Sequence, residues 1–320
     1  MASTLHVIFS SIFFIEILLG IIINGFIVIA ICIEWKKQRQ IHPGDQILLC
    51  LVLSRLSLLL TVLATNILLT FFPHLRVHAS EYFIMVRLLF SYSSIWFATL
   101  LSVFYCVKIT TYNHPLFMYI KTRISKLVPW FIAGCSLASL SSSLPVGWCV
   151  FTKHILDPSN VTSHIDSKSA NFFNLFLIYN FGSSPPLVLC CVSVVLLMRY
   201  LSAHTRVMQE NRGFRNPNLQ SHYRILRSTT CFFLLYFAYY IIVNLTTTGI
   251  VTHDSPWIIL CSIFTSVTPV LHSVILILSN SKLRQASKSL FCHPRHFKQE
   301  VKSLNHLPNT EPLGRLEDGE

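Results

Sequence analysis

The sequence predicts an all-α membrane protein: a seven-transmembrane helix bundle with the N-terminus extracellular and the C-terminus cytoplasmic. Three observations lead there. Only 12% of the 320 residues are charged while 52% are hydrophobic, and the mean hydropathy is +0.57. A soluble domain carries about 25% charged residues, and half that share leaves too little polar surface to face water. The apolar residues are gathered into seven blocks, each near or above the roughly 20 residues that cross a bilayer as a helix. The Lys and Arg residues collect in alternate connections between those blocks, which fixes an orientation.

The blocks fall at about 7–33, 46–72, 82–108, 127–147, 172–201, 228–252 and 257–279. Together they form one membrane domain over residues 1–290. Isolated strands cannot satisfy their backbone groups in lipid, so the blocks are helices. Pro185, Pro186 and Pro269 lie inside the fifth and seventh blocks, where packed neighbours can replace the lost partners. The first connection holds Lys36, Lys37 and Arg39, and the third Lys108, Lys121, Arg123 and Lys126. The fifth holds Arg199, Arg206, Arg212, Arg215, Arg224 and Arg227, and the end of the chain adds Lys282, Arg284, Lys288 and others. The opposite side has only Arg76, Arg87, Lys153 and Lys168. The basic side is therefore expected in the cytoplasm. The stretch before the first block lacks a basic n-region and a cleavage site, so no removable signal peptide is expected. Residues 291–320 are polar, end in acidic residues and read as a flexible cytoplasmic tail.

Several function classes are disfavoured. A net charge of +12 could mark a nucleic-acid partner, but that needs a basic face on a folded domain, and here the charge sits in short connections. There is no HExxH, GxSxG, Walker or GxGxxG motif and no pair of intramembrane carboxylates, so an enzyme is not expected. The cysteines form no CxxC pair and the histidines have no ligand spacing, so neither a metal nor another cofactor is expected. No internal repeat supports an inverted-repeat transporter. Asn160-Val161-Thr162 is a glycosylation sequon in the second outer connection, whereas Asn244-Leu245-Thr246 falls inside a helix and should be inert.

Polar residues inside the blocks need partners, since an Arg there costs roughly 2.5–3.5 kcal/mol on insertion scales. Arg55 lies about nine residues, roughly 14 Å, from the cytoplasmic end of its helix. Asn24 in the first helix and His272 and Ser273 in the seventh lie at the same depth, so these four are predicted to form one polar cluster. Glu16 has no evident partner. The outer halves of helices three, five, six and seven carry polar and aromatic residues, among them Ser91, Tyr92, Ser94, Tyr179, Asn180, Ser183, Tyr239, Tyr240, Ser262 and Thr265. A cavity with apolar walls and a few polar groups suits small organic ligands.

Seven helices, short connections and a basic interior describe G-protein-coupled receptors broadly. The rhodopsin-like motifs are missing: helix three ends Phe104-Tyr105-Cys106-Val107-Lys108-Ile109 without Asp-Arg-Tyr, and helix seven has no Asn-Pro-x-x-Tyr. Along nearly its whole length the chain instead resembles the type 2 taste receptors, the bitter receptors. The resemblance rests on Glu16, Gly20 and Asn24-Gly25-Phe26-Ile27, on Leu53-Ser54-Arg55, and on Trp96-Phe97-Ala98-Thr99. It continues through Ser102-Val103-Phe104-Tyr105-Cys106-Val107-Lys108-Ile109, then His114-Pro115-Leu116-Phe117 and Lys121. Further on stand Gly213-Phe214-Arg215, Phe233-Leu234-Leu235-Tyr236, Pro269, His272-Ser273 and Lys282-Leu283-Arg284.

The resemblance implies a plasma-membrane receptor whose partners are small-molecule bitter agonists, a gustducin-type heterotrimeric G protein and the lipid bilayer. Oligomers are allowed and nucleic acid is excluded. It implies a ligand site involving Asn66, Arg87, Ser91, Tyr92, Tyr179, Ser183, Tyr239 and Ser262. It places coupling at Tyr105, Lys108, His204, Arg215 and Lys282, with glycosylation at Asn160. At position 87 many members have Trp, and at 91–92 Asn-His, so this chain's agonist range is expected to be its own. A vomeronasal type 1-like chemoreceptor and a small-solute transporter are the competing readings.

Overall fold

A computed structural model describes the backbone of residues 2–71, 76–111, 115–156, 164–210, 217–248, 250 and 257–292. Side chains are described chiefly over 11–68, 82–111, 117–145, 179–203, 224–248 and 260–288. The described residues form α1 (Ala2–Gln38), α2 (Pro43–Phe71), α3 (Arg76–Ile109), α4 (Pro115–Leu156), α5 (His164–Glu210), α6 (Pro217–Thr247), α7 (Trp257–Ser279) and α8 (Ser281–Cys292), and no strand. Seven of these helices are long and apolar enough to span a membrane. The all-helical, seven-span class read from the sequence is borne out.

Local chemistry sets the helix ends. α2, α4 and α6 each open on proline, at a first-turn position where its missing N–H is not needed. α1 ends where Arg39 turns left-handed (φ 53°) and its N–H returns to Trp35 O at 2.8 Å. Several helices run past their apolar blocks. α4, expected over 127–147, starts at Pro115 because helical backbone continues through the polar turn of Lys121, Arg123 and Lys126. α5, expected over 172–201, spans His164–Glu210, so Arg206 lies in helix and not in a loop. α6, expected to reach 252, stops at Thr247, in a run of β-branched threonines followed by Gly249. The α8 helix was not anticipated, and part of the presumed flexible tail lies within it. Asn280 Oδ1 caps it by accepting from Lys282 N at 3.0 Å. Its Leu283 is buried against the bundle.

The helices pack as a ring with α3 inside it, touching α2, α4, α5 and α6, while α1 closes the ring against α2 and α7. The apolar core lies towards the end where α1 leaves and α2 enters. Ile27, Ile31, Ile47, Leu51, Phe97, Leu101, Phe104 and Leu283 meet there. We call this the basic end and the opposite one the far end. At the basic end Lys282 Nζ lies 3.6 Å from Glu34 Oε1 and 3.4 Å from Asp45 Oδ2, tying α8 to α1 and α2. Exposed pairs of this kind are worth roughly 0–1 kcal/mol. Lys282→Ala is therefore expected to change detergent-solubilised stability by less than about 1 kcal/mol, and a thermal melt is the check.

Candidate functional site

Four helices are stitched together by one buried polar knot. Arg55 of α2 is 2% exposed. Its Nη1 donates to Ser273 Oγ at 2.8 Å and its Nε to Ser94 Oγ at 3.2 Å. Its Nη2 meets His272 Nδ1. A guanidinium has no acceptor, so this pairing makes Nδ1 the acceptor and assigns the imidazole proton to Nε2. Ser273 shares its hydroxyl proton between Asn24 Oδ1 at 2.8 Å and Pro269 O at 3.1 Å. Asn24 Nδ2 donates to Gly20 O at 2.7 Å. α1, α2, α3 and α7 thus meet around one guanidinium, and Asn24, Arg55, His272 and Ser273 are brought together. The His272 ring also stacks on Phe232 of α6, with centroids 4.3 Å apart.

Sequence reasoning missed Ser94 as a partner of Arg55, and it missed a second tier. Ser266 donates to Glu16 Oε2. Ser266 precedes Ser273 by two turns, and Glu16 precedes Asn24 by about two. The second α1–α7 bond therefore lies roughly 10–12 Å above the first. The same depth count that gave the knot would have found it. Between the tiers sits Gly20, where an added Cβ would lie 2.8 Å from Leu59 Cδ1 and 3.2 Å from Val270 Cγ2, so the glycine permits close approach of α1 to α2 and α7.

In the far half, α5 and α6 are joined by polar bonds. Asn180 Nδ2 donates to Asn244 Oδ1 at 2.7 Å, Tyr240 OH donates to Asn180 Oδ1, and Tyr240 OH lies 3.1 Å from Ser184 Oγ. Tyr236 OH donates to Ser183 O at 2.6 Å. The Asn244 amide is engaged inside α6, with its Nδ2 on Tyr240 O at 2.8 Å. Tyr92, Tyr179 and Tyr240 form an aromatic row across α3, α5 and α6, with successive centroids 6.4 and 6.3 Å apart.

The residues expected to bind ligand are placed unequally. Asn66, Arg87 and Ser262 are exposed, and Ser91 and Tyr239 are half-buried. Tyr92, Tyr179 and Ser183 are buried in the helix interfaces. Ser183 Oγ is already used on Tyr179 O at 2.6 Å. Arg87 stands two turns above Ser94, so it shares the α3 face that meets Arg55. A groove of about 340 Å³ opens elsewhere, between α2 and α3, lined by Leu60, Thr61, Ala64, Tyr82, Phe83 and Val86. None of the eight expected residues lines it, and Ala64 lies on the side of α2 opposite Arg55, so this is an apolar crevice on the bundle's outer face.

At the basic end Tyr105 sits edge-on to Phe104, and Lys108 Nζ lies 5.7 Å over the same ring. Lys121 Nζ closes the α3 terminus by donating to Thr110 O at 2.6 Å and Thr111 Oγ1 at 2.7 Å. The backbone of His204 belongs to α5. Its side chain, Arg215 and Asn160 lie outside the described residues, as does everything after Cys292. No group of His, Cys, Asp and Glu suited to a metal occurs among the described residues.

Six spanning helices ring an inner third, and a short eighth follows them. The crystal structure of squid rhodopsin superposes with a TM-score of 0.60, covering 95% of this chain and 92% of that one at 14% identity, a likeness of fold alone. The taste receptor protein family (TAS2R) matches residues 1–295, and the chain belongs to that family. Taste receptor type 2 member 2 of Homo sapiens is 30% identical over 297 residues, covering 91% of this chain and 97% of that protein. Taste receptor type 2 member 7 of Pongo pygmaeus is 33% identical over 284 residues, covering 85% and 88%. The chain is a multi-pass membrane protein of a receptor family, not an enzyme.

Proposed function

We propose that the chain is a bitter taste receptor of the plasma membrane. It binds small organic compounds in the far half of the bundle and activates a gustducin-type G protein at the basic end. Its N-terminus is extracellular, its basic end faces the cytoplasm, and Asn160 carries a glycan. The observation that carries this reading is the division of the bundle. The far half presents Asn66, Arg87, Ser91, Tyr239 and Ser262 at open or half-open positions among aromatic residues, and the buried knot below them joins α1, α2, α3 and α7. Such a mix of apolar surface and a few polar groups suits small organic ligands. Tyr105, Lys108, His204, Arg215 and Lys282 supply the coupling face.

The test is calcium release in cells expressing the chain with a chimeric G protein, challenged with a panel of bitter compounds. Responses that vanish without the G protein support the reading. Solute uptake with no such response overturns it. Arg87, an exposed cation in the far half of α3, is expected to favour acidic agonists. A hydrogen bond to a charged group contributes about 1.5–3 kcal/mol, so Arg87→Ala is expected to cost carboxylate-bearing agonists about tenfold or more in potency. Unchanged potency would remove Arg87 from the site.

A further inference from the structure

Near the basic end α4 carries Lys121, Arg123 and Lys126, and only the first has a task inside the protein. Lys121 closes the α3 terminus through Thr110 O and Thr111 Oγ1. Arg123 and Lys126 are exposed, and among the described residues neither donates a hydrogen bond or forms an ion pair. No acidic residue occurs along α4, and at this end Glu34 and Asp45 are engaged by Lys282. Helical spacing puts Tyr119, Arg123, Lys126 and Trp130 on one face, at i, i+4, i+7 and i+11. The opposite face, with Ile124, Val128, Ile132 and Cys135, packs against the core. The stripe therefore points away from the bundle, with Trp130 77% exposed and Tyr119 53% exposed.

The Arg123 guanidinium lies 5.1 Å from the Tyr119 ring centroid. The ring steadies the cation electrostatically and leaves its fork of N–H donors for an anion. The apolar run of α4 opens at Leu127. Arg123 and Lys126, about 4.5 Å apart along the axis, stand at its rim, and Trp130 lies about 6 Å further in. Headgroups lie at the rim of the hydrocarbon, a boundary that Trp favours. Topology alone asks for cations at this end, on any face. It does not ask that two share a face with a tyrosine against one of them and an open indole below. We propose that Tyr119, Arg123, Lys126 and Trp130 form a lipid-facing site for an anionic phospholipid of the leaflet at the basic end. The phosphate accepts from the Arg123 fork and from Lys126 Nζ, and the acyl chains lie along Trp130. Charge complementarity selects an acidic headgroup over a zwitterionic one. The inference is independent of agonist and G protein, and needs only that α4 spans a bilayer.

The full chain is reconstituted in dioleoylphosphatidylcholine vesicles holding a fixed minor fraction of phosphatidylserine. Dibrominated chains, which quench indole fluorescence on contact, are placed either on the phosphatidylserine or on an equal amount of phosphatidylcholine. The quenching lost on Trp130→Phe isolates the contribution of Trp130. The expected result is a preference of Trp130 for phosphatidylserine of roughly fivefold for each cation engaged. Arg123→Gln combined with Lys126→Gln should abolish the preference, whereas Arg123→Lys combined with Lys126→Arg should keep most of it, and both should melt with the parent in detergent. Raising the salt concentration should lower the preference of the unaltered chain. Should the glutamine variant fail to fold, that salt series decides, and a preference indifferent to salt overturns the inference. Equal quenching by the two lipids in the parent overturns it, as does a preference that survives in the glutamine variant. Quenching of Trp130 by neither lipid means that protein covers this face, and overturns it too. Each of these outcomes leaves the receptor reading intact.

Discussion

Arg55→Met is expected to be the most damaging single substitution in the bundle. It removes three hydrogen bonds at once and leaves Ser94, His272 and Ser273 without their shared partner in a dry interior. Interhelical hydrogen bonds in membranes average about 0.6 kcal/mol and reach about 1.7, and each orphaned group adds about 1–3 kcal/mol. The two figures overlap, and with relaxation the net loss is roughly 2–5 kcal/mol. Surface delivery should fall sharply, and the purified variant should melt well below the parent. Arg55→Lys should recover little of this, because an ammonium lacks the planar fork that reaches partners on two helices. Near-normal melting of Arg55→Met would show that the knot contributes little to stability. Ser273→Ala, which removes only the link to Asn24 and one acceptor, should cost visibly less.

Gly182→Ala is the second large effect. The new Cβ would lie 2.7 Å from Tyr92 Cε1, 2.9 Å from Tyr92 Cζ and 2.8 Å from Ser142 Cβ. The Ser142 Cβ is fixed to its helix, so relief requires α4 or α5 to move. Overpacking of this kind costs about 1–3 kcal/mol. Combining Gly182→Ala with Tyr92→Leu should recover part of the loss, because two of the three close contacts are with the Tyr92 ring. Gly134→Ala is the control: its Cβ meets nothing within 4 Å, and the change should be neutral or slightly stabilising. Equal melting temperatures for Gly182→Ala and the parent would mean that the α3–α4–α5 seam is looser than its geometry indicates.

The number of spans was legible because lipid enforces it: each crossing needs a long apolar run. The four knot residues were legible for the same reason, since a buried guanidinium needs partners and depth could be counted from each helix end. What escaped had no such enforcement. α8 is short and rich in Ser, Lys and Arg, so the apolar signal that marks a span passes over it. The polar starts of α4 and α6 lie outside the apolar blocks, where composition says little about helix. The Asn180–Asn244–Tyr240 contact depends on the rotation of α5 against α6, which side-chain spacing along one chain does not fix. Tyr92 and Ser183 were expected on cavity walls because they are polar and in the far half. Gly182 draws α5 close enough to α3 and α4 to bury Tyr92, and Ser183 turns its hydroxyl back onto its own helix.

The stacking of Phe232 on His272 has a mechanical consequence. Polar bonds lace α1, α2, α3 and α7 into one body, and another set laces α5 to α6. Among the described residues, α6 touches the knot through that ring pair and not through a hydrogen bond. Stacked rings tolerate sliding that a directional N–H···O bond does not. At that joint α6 can slide while every bond to the guanidinium stays made, whereas α5 stays tied to α3 where Thr99 Oγ1 donates to Pro186 O at 3.3 Å.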